Sequence, residues 1–494
     1  MKLIPFIQTI FLSVAFLFLL NSCHDDFLQE KVYSNITPLN FYKTEQDAKA
    51  ALASIYNAVR NSNGFQRQVI LAAEYPGEAT WPNNSGEAWR AEMDQFTWTT
   101  SSTGFYQIWS QLYTLINRAN TVLTYIDNIE FVTPGLKEQV TGEVRFLRSF
   151  AYLYLIRFFE NIPLKTEENM EEIDVTNQGT TDAVWSLIFS DFDYAKNNLR
   201  PRNTGADVGR ATAGAAHVML VKAYLTCAGK PWYKSEYWSK AAQEAKAVID
   251  NSAYGYDLEE DYERVFLLEN EHGAEYIFSL EYESNMGQGW DWPSFTGIRS
   301  GDQIKLDGWS SLAAEEDFFS YMDITDKRRN KTFVIAYQGV NNPDNSYTYP
   351  GNISLPHYNK YIDRNDVGNG TGDYAINHYI TRFSDLLLMH SEAENEANGP
   401  TENALYGINR VRSRAGLPLL TTAGYTKETL REAIFEERLL ELCEEGHAWF
   451  DMKRMDLMTK RIRKYRVEEK HYVFPIPQSE LDVNPNLEQN ALYK

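Results

Sequence analysis

Apolar residues recur every three or four positions over most of the chain, a spacing that predicts amphipathic helices. Segments of this kind run from about residue 44 to 251 and again from 384 to 454. Alanines are grouped within them at 211–216 and 241–247, and small residues let neighbouring helices approach closely. Helix pairs of this type are typical of tetratricopeptide-like units, although the irregular period alone predicts only helical repeats in a mainly α protein.

Two stretches break the helical pattern, at 74–102 and 282–309. Each carries three tryptophans together with asparagine and glycine, which favour loops. The tryptophans are Trp81, Trp89, Trp98, Trp290, Trp292 and Trp309. Loops held by a rigid scaffold are where binding groups usually lie, so these stretches are the candidates for a site.

The segment from Thr426 to Gly446 predicts a helix with an unusual set of charges. Thr426 can cap its N-terminus, as Thr44 and Thr401 can cap the helices that follow them, and Gly446 supplies a left-handed stop. Arg438, Glu441 and Glu445 recur on one face. Two interpretations fit such a cluster: a catalytic or ligand-binding site, or a salt-bridge network that clamps packed helices. We favour the network, because a planar guanidinium can satisfy a carboxylate with two hydrogen bonds.

The N-terminus has the pattern of a bacterial lipoprotein signal. Lys2 gives it a basic start, and the apolar run from 4 to 20 is short for a membrane span. Leu20-Asn21-Ser22-Cys23 then matches a lipoprotein cleavage site, with an ordinary signal peptide and a chance cysteine as the alternative. We predict that residues 1–22 are removed and that Cys23 carries acyl chains that anchor the protein to a membrane.

Charge and cysteine count exclude other functions. The chain has 68 acidic against 47 basic residues, a net charge of −21, which makes nucleic acid a poor partner. Besides Cys23, Cys227 and Cys443 lie in helical, partly apolar segments and are predicted to be buried free thiols. No metalloprotease, nucleophile-elbow, P-loop or dinucleotide motif occurs, so we predict no catalytic residue, no metal and no cofactor.

Several motifs together resemble the SusD/RagB family, the surface glycan-binding lipoproteins of the Bacteroidetes outer membrane. Those at the C-terminus are Glu437-Arg438, Glu441-Leu442, Glu445-Gly446 and 451–454, with His447 where the family usually has arginine. Those upstream are 142–148, 161–164, 382–385 and 392–394, and the closing segments are 475–477 and 484–487. The resemblance therefore extends from the lipoprotein signal to the last ten residues.

This resemblance implies one SusD-like domain over residues 23–494, with tetratricopeptide-like repeats that form an α-α superhelix. We expect a helical N-terminal part at about 36–251, a loop-rich insertion with minor β structure at about 252–380, and a helical C-terminal part at about 381–494. The family also implies a position on the outside of the outer membrane. A TonB-dependent SusC-like transporter would be the partner that receives the ligand.

Tryptophan faces can cover the apolar C–H faces of sugar rings, while neighbouring amides and carboxylates bond the hydroxyl groups. We therefore predict oligosaccharide binding by the two tryptophan-rich loops. The candidate ligand-binding residues are Trp81, Asn83, Trp89, Trp290, Asp291 and Trp292. Trp81, Trp290 and Trp292 are expected to be the most exposed. In the family, ligand contacts come from the corresponding early loop and central insertion.

Two other functions stay open at this point. A RagB-like peptide binder would favour open strand edges and charged pockets over tryptophan platforms. A glycoside hydrolase needs two carboxylates at a set separation, which the sequence does not fix. We favour a binder that is not an enzyme, because a helical-repeat body with aromatic loops suits capture.

Overall fold

Helices dominate the structure, a computed structural model that describes residues 40–83, 86–285, 287–305, 307–366, 368 and 372–494. The predicted signal peptide and Cys23 lie outside the described residues. The helices of the first half are α1 (Glu45–Val59), α2 (Gln68–Glu74), α3 (Ala88–Gln95), α4 (Thr103–Tyr125), α5 (Leu136–Phe159), α6 (Thr181–Asn198), α7 (Ala213–Ala228) and α8 (Glu236–Ile249). Those of the second half are α9 (Trp292–Thr296), α10 (Glu316–Tyr321), α11 (Arg329–Thr332), α12 (Phe383–Asn398), α13 (Glu402–Ala415), α14 (Lys427–Leu442), α15 (Ala448–Arg454), α16 (Met458–Arg461) and α17 (Gln478–Val483).

Threonine side chains begin several helices where the sequence predicts a cap. At the start of α1, the Asp47 amide donates to the Thr44 hydroxyl at 3.3 Å, and the Thr44 amide donates to the Asp47 carboxylate at 2.8 Å. Thr401 and Thr426 cap α13 and α14 by accepting the amide three residues on. Each cap satisfies a backbone N–H that the helix leaves unpaired, so local sequence sets where these helices begin.

Consecutive helices pack against each other in a continuous series. α4 contacts α5, α5 contacts α6, α6 contacts α7, and α7 contacts α8. α12 then packs on α8 and α13, and α14 packs on α12. The grouped alanines of α7 and α8 are buried, except for Ala247, which is exposed. This stack confirms the predicted mainly α fold with tetratricopeptide-like repeats.

Strands are short and occur in antiparallel pairs within the described chain. They are β1 (Thr80–Pro82), β2 (Tyr276–Leu280), β3 (Leu312–Ala314), β4 (Ala336–Gln338), β5 (Ser346–Thr348) and β6 (His378–Arg382). β1 pairs with β3, β2 with β6, and β4 with β5. β2 and β6 are buried along their whole length, and β6 continues directly into α12. The β2–β6 pair therefore joins the loop-rich middle of the chain to the helical stack.

A buried network of ion pairs surrounds α14. The Glu441 carboxylate accepts from Arg382 at 2.5 Å, from Arg328 at 3.1 Å and from Arg414. The Glu445 carboxylate accepts from Arg382 at 2.8 Å. No side chain in this set is more than 4% exposed. The predicted salt-bridge network is confirmed, and it joins four segments of the chain rather than two helices.

The network differs from the prediction in the residues that it joins. Arg438 pairs with Asp385 of α12 at 2.9 Å and with Asp451 of α15 at 2.7 Å, and not with Glu441 or Glu445. Arg438 therefore fastens α14 to two neighbouring helices, while the carboxylates of its own segment meet cations from elsewhere.

α14 also ends earlier than predicted. Its last residue is Leu442, and Glu444 adopts a left-handed conformation (φ 69°) before Gly446 does (φ 79°). The Gly446 amide donates to the buried Glu74 carboxylate at 2.6 Å. This bond and the ion pairs of Glu445 replace the contacts of a further helical turn.

Cys227 and Cys443 are free and buried, as predicted. Burial raises the pKa of both thiols to about 12, which keeps them protonated and unreactive. Among the described residues, no helix combines the length and the apolar character that crossing a membrane requires.

Replacing Glu441 by glutamine is expected to lower the free energy of unfolding by about 3–5 kcal/mol, because it removes one of the anions that neutralise the buried Arg328, Arg382 and Arg414. Burial alone would raise the pKa of Glu441, but the guanidinium groups of Arg414, Arg382 and Arg328 hold it well below its ordinary value. The ionised Glu441 carboxylate therefore contributes its full stabilisation above a pH of about 4, and this stabilisation is lost as the pH falls further.

Urea unfolding at pH 7 and at pH 3 measures this effect. The matched control is Glu432→Gln on the exposed side of the same helix, which should change stability by less than about 0.5 kcal/mol. Equal losses in the two variants, or a Glu441→Gln loss that grows in acid, would contradict the assignment.

Candidate functional site

Trp81 and Asn83 lie on a short two-stranded ladder at the surface. β1 pairs with β3 so that Trp81 is opposite Ala313. Asn83 continues the ladder, because its backbone N–H donates to the Ser311 carbonyl at 3.2 Å and its side-chain amide donates to the Ser310 carbonyl at 3.1 Å. Residues two apart on a strand share a face, and both side chains are half-buried. The ladder therefore holds two partly open side chains on a fixed backbone.

Trp290 and Trp292 are fully buried, so the prediction that they are exposed is wrong. They belong to a stack of nearly parallel rings that runs Tyr282, Trp290, Trp292, Phe295, with ring centres 5.6, 5.7 and 5.5 Å apart. Trp309 meets the end of this stack edge-to-face, 6.4 Å from Phe295. Because each inner ring is covered by its neighbours, neither Trp290 nor Trp292 has a face open to a ligand.

The indole N–H groups separate the buried loop tryptophans from the open ones. Those that donate to a protein acceptor are Trp89, Trp98, Trp290 and Trp292. Trp81 and Trp309 are half-buried, and neither indole N–H has an acceptor in the part of the chain that the structure describes. A partly exposed N–H without an acceptor is available to donate to a ligand.

Arg67 lies where the aromatic stack meets the surface. Its guanidinium is 5.5 Å from the ring centre of Phe295 and 5.8 Å from that of Trp309, and it forms an ion pair with Asp291. A Cβ on Gly372 would lie 3.2 Å from Asp291 and 3.6 Å from the Trp309 ring, so these two residues are adjacent. The ring contacts and the ion pair together orient the guanidinium.

Trp89 and Asp291 are also buried, which removes them from the surface that a ligand could reach. Trp89 packs on Gly104, where an added Cβ would come within 2.5 Å of the indole ring. Asp291 is held by Arg67; burial raises the pKa of its carboxyl group, and the guanidinium opposes that rise. Both residues therefore support the surface from beneath.

Two carboxyl groups lie behind the aromatic stack. Glu444 accepts the Trp292 indole N–H at 2.8 Å, and Glu74 accepts the Gly446 amide. Burial raises the pKa of Glu444 to about 8 and that of Glu74 to about 7, because a charge there has no water to stabilise it. Perturbed carboxyl groups are typical of active sites, but these two are almost fully covered by protein and serve packing.

We define the candidate face as the surface formed by Arg67, Trp81, Asn83 and Trp309. It offers two partly open indole N–H groups and an Asn83 carbonyl oxygen, none of which has a hydrogen-bond partner among the described residues. Asp291 balances the charge of Arg67. Flat apolar rings beside hydrogen-bonding groups of little net charge suit a neutral, polyhydroxylated ligand.

Arg67 and Trp309 are the residues of this face that sequence reasoning missed. Arg67 is 224 positions away from its partner Asp291, and no local pattern connects them. Trp309 belongs to the second tryptophan-rich stretch, but the sequence gives no signal that separates it from Trp290 and Trp292. Only the tertiary structure shows which of these indoles ends at the surface.

The fold and the candidate face define an α-helical repeat protein that presents an aromatic surface on its loops. A family model described as starch-binding, associating with the outer membrane, matches residues 26–225, and a model described as the SusD family matches residues 324–471. The chain belongs to the SusD-like family, which confirms the resemblance found in the sequence.

Relatives align over nearly the full chain. SusD-like protein P2 of Formosa agariphila is 28% identical, over 97% of this chain and 98% of the relative. Starch-binding protein SusD of Bacteroides thetaiotaomicron is 22% identical, over 87% and 86%. The solved structure of a laminarin-binding SusD-like protein is 26% identical and has a TM-score of 0.77, over 91% of this chain and 100% of that one. The helical scaffold is therefore shared with these proteins.

Trp292→Ala is expected to lower the free energy of unfolding by about 3–5 kcal/mol, because it opens a cavity within the stack and orphans Glu444. Trp81→Ala should cost about 1 kcal/mol, since that indole is half-buried at the surface. Urea unfolding of both variants measures the difference. A Trp292→Ala protein as stable as the wild type would contradict the structural role.

Proposed function

We propose that this protein binds an oligosaccharide at the candidate face and releases it unchanged. The observation that carries the proposal is the pair of half-buried indoles, Trp81 and Trp309, whose N–H groups lack an acceptor among the described residues. A sugar ring stacked on such an indole would cover the open apolar surface, and its hydroxyl groups would bond the free donors. The Asn83 amide would orient the ring.

The relatives support a carbohydrate as the ligand. The family model that matches the N-terminal half is described as starch-binding, and a solved relative is described as laminarin-binding. The electrostatics favour neutral sugars over anionic ones for this chain. Asp291 already balances Arg67, and the net charge of −21 would repel an anionic polysaccharide.

We also propose that Cys23 carries a lipid anchor on the outer membrane, with the protein facing outward. The bound oligosaccharide would then pass to a TonB-dependent SusC-like transporter. The lipoprotein pattern at residues 20–23 supports the anchor, and the match to a family model described as associating with the outer membrane supports the location. Acyl chains suffice for such attachment without a spanning helix.

Trp81→Ala is expected to weaken oligosaccharide binding about 10-fold, equivalent to about 1.4 kcal/mol, because one stacking plane is lost. Calorimetry against starch-derived and laminarin-derived oligosaccharides and a set of tripeptides measures it. Trp238→Ala is the matched control: this indole is also half-buried but lies on α8, away from the candidate face, and its loss should leave binding unchanged.

Three other outcomes would each contradict one part of the proposal. Full affinity in a Trp81→Ala/Trp309→Ala double variant would remove the candidate face as the site. Binding of peptides in place of saccharides would show that the ligand is a peptide. Release of reducing sugar from a bound oligosaccharide by the purified protein would show an enzyme.

Cys23→Ala is expected to move the protein from the membrane fraction to the soluble fraction of cells that express the full chain, because the acylation site is lost. Cys227→Ala is the control and should stay with the membrane, since this thiol is buried in α7. Membrane retention of the Cys23→Ala protein would contradict the lipid anchor.

A further inference from the structure

A cleft of about 310 Å³ lies beside the candidate face. Glu78 on its wall is two residues before β1, and Glu315 follows β3 directly. The cleft and the candidate face therefore share the β1–β3 ladder. Phe96 and Phe318 line the cleft and are buried, so its floor is apolar.

Two tyrosines give this cleft its open aromatic surface. The Tyr465 hydroxyl donates to the Asp94 carboxylate at 2.9 Å. Tyr321 lies against Glu436, and burial together with that carboxylate raises the pKa of its hydroxyl to about 12. Tyr465 is half-buried and Tyr321 is 49% exposed, although both are tethered. A tethered ring loses little conformational freedom when a ligand stacks on it.

Ion pairs supply the polar lining of the cleft. Arg461 contacts Glu78 at 2.6 Å, and Lys464 contacts Glu315 at 3.0 Å. In total, four acidic and three basic side chains line the cleft, so donors and acceptors are present in comparable number with little net charge. Hydroxyl groups both donate and accept hydrogen bonds, and they can bridge such pairs without bringing a charge into the cleft.

We infer that this cleft is a second saccharide subsite, in which Tyr321 and Tyr465 are the stacking planes and the ion pairs bond the sugar hydroxyls. The inference rests on the proposed function of the candidate face and extends it. Both places combine aromatic planes of fixed position with polar groups of balanced charge, which is the chemistry that recognises a neutral sugar.

Because the cleft and the candidate face share the β1–β3 ladder, one long ligand would reach both. An oligosaccharide long enough to occupy both places would bind the second one intramolecularly, at a high effective concentration. A short oligosaccharide would occupy the two places independently. Chain length therefore determines the affinity of the protein, although each place alone binds weakly.

The test uses the full mature chain with two matched probe pairs: a starch-derived trisaccharide with starch, and a laminarin-derived trisaccharide with laminarin. In calorimetry, we expect the trisaccharide to bind at two sites in the wild type and at one site in Tyr321→Ala/Tyr465→Ala. In affinity electrophoresis, the same double variant should bind the polysaccharide at least 10-fold more weakly. Tyr106→Ala is the matched control, since Tyr106 is 47% exposed on α4 and should affect neither measurement.

The outcomes distinguish this inference from the proposed function. If the wild-type protein binds saccharide at one site, which Trp81→Ala weakens and the tyrosine substitutions leave intact, the second subsite alone is overturned. Absence of any saccharide binding by the wild-type protein would overturn both. Thermal melts of every variant check the fold, and Tyr321→Ala alone, which removes a largely exposed side chain, decides the question if the double variant is unstable.

Discussion

A buried arginine must form ion pairs with carboxylates, because the desolvation of its guanidinium charge costs several kcal/mol. Arg382 at the end of β6 and Arg328 just before α11 both satisfy this requirement at Glu441 of α14. A shift of the loop-rich middle of the chain against the helices would break the ion pairs that these two arginines form with Glu441. The network thus fixes where the irregular segments sit on the helical stack.

The aromatic stack connects this ion-pair network to the surface of the protein. Trp292 is bonded to Glu444, two residues after α14 ends, and the rings continue through Phe295 to Trp309. Arg67 closes the outer end of the series. A series of ring contacts therefore connects the Trp309 indole at the surface to the ion-pair region.

Sequence reasoning succeeded where the physical cause is local. Threonine caps begin α1, α13 and α14 because each side chain bonds an amide three residues away. It failed where the cause is distant. The sequence around Trp290 is typical of an exposed loop, yet its indole N–H donates to the Gln66 backbone carbonyl, which is 224 positions away. The end of α14 was missed for the same reason, since Glu74 lies on α2.

The aromatic stack also separates two kinds of position along the chain. Its inner rings contact protein on every side, so an exchange there must preserve volume and hydrogen bonding. Trp81, Asn83 and Trp309 have open sides and few packing obligations. Under the proposed function, new ligand preferences would therefore arise from exchanges of a few outward side chains that leave the packing of the scaffold unchanged.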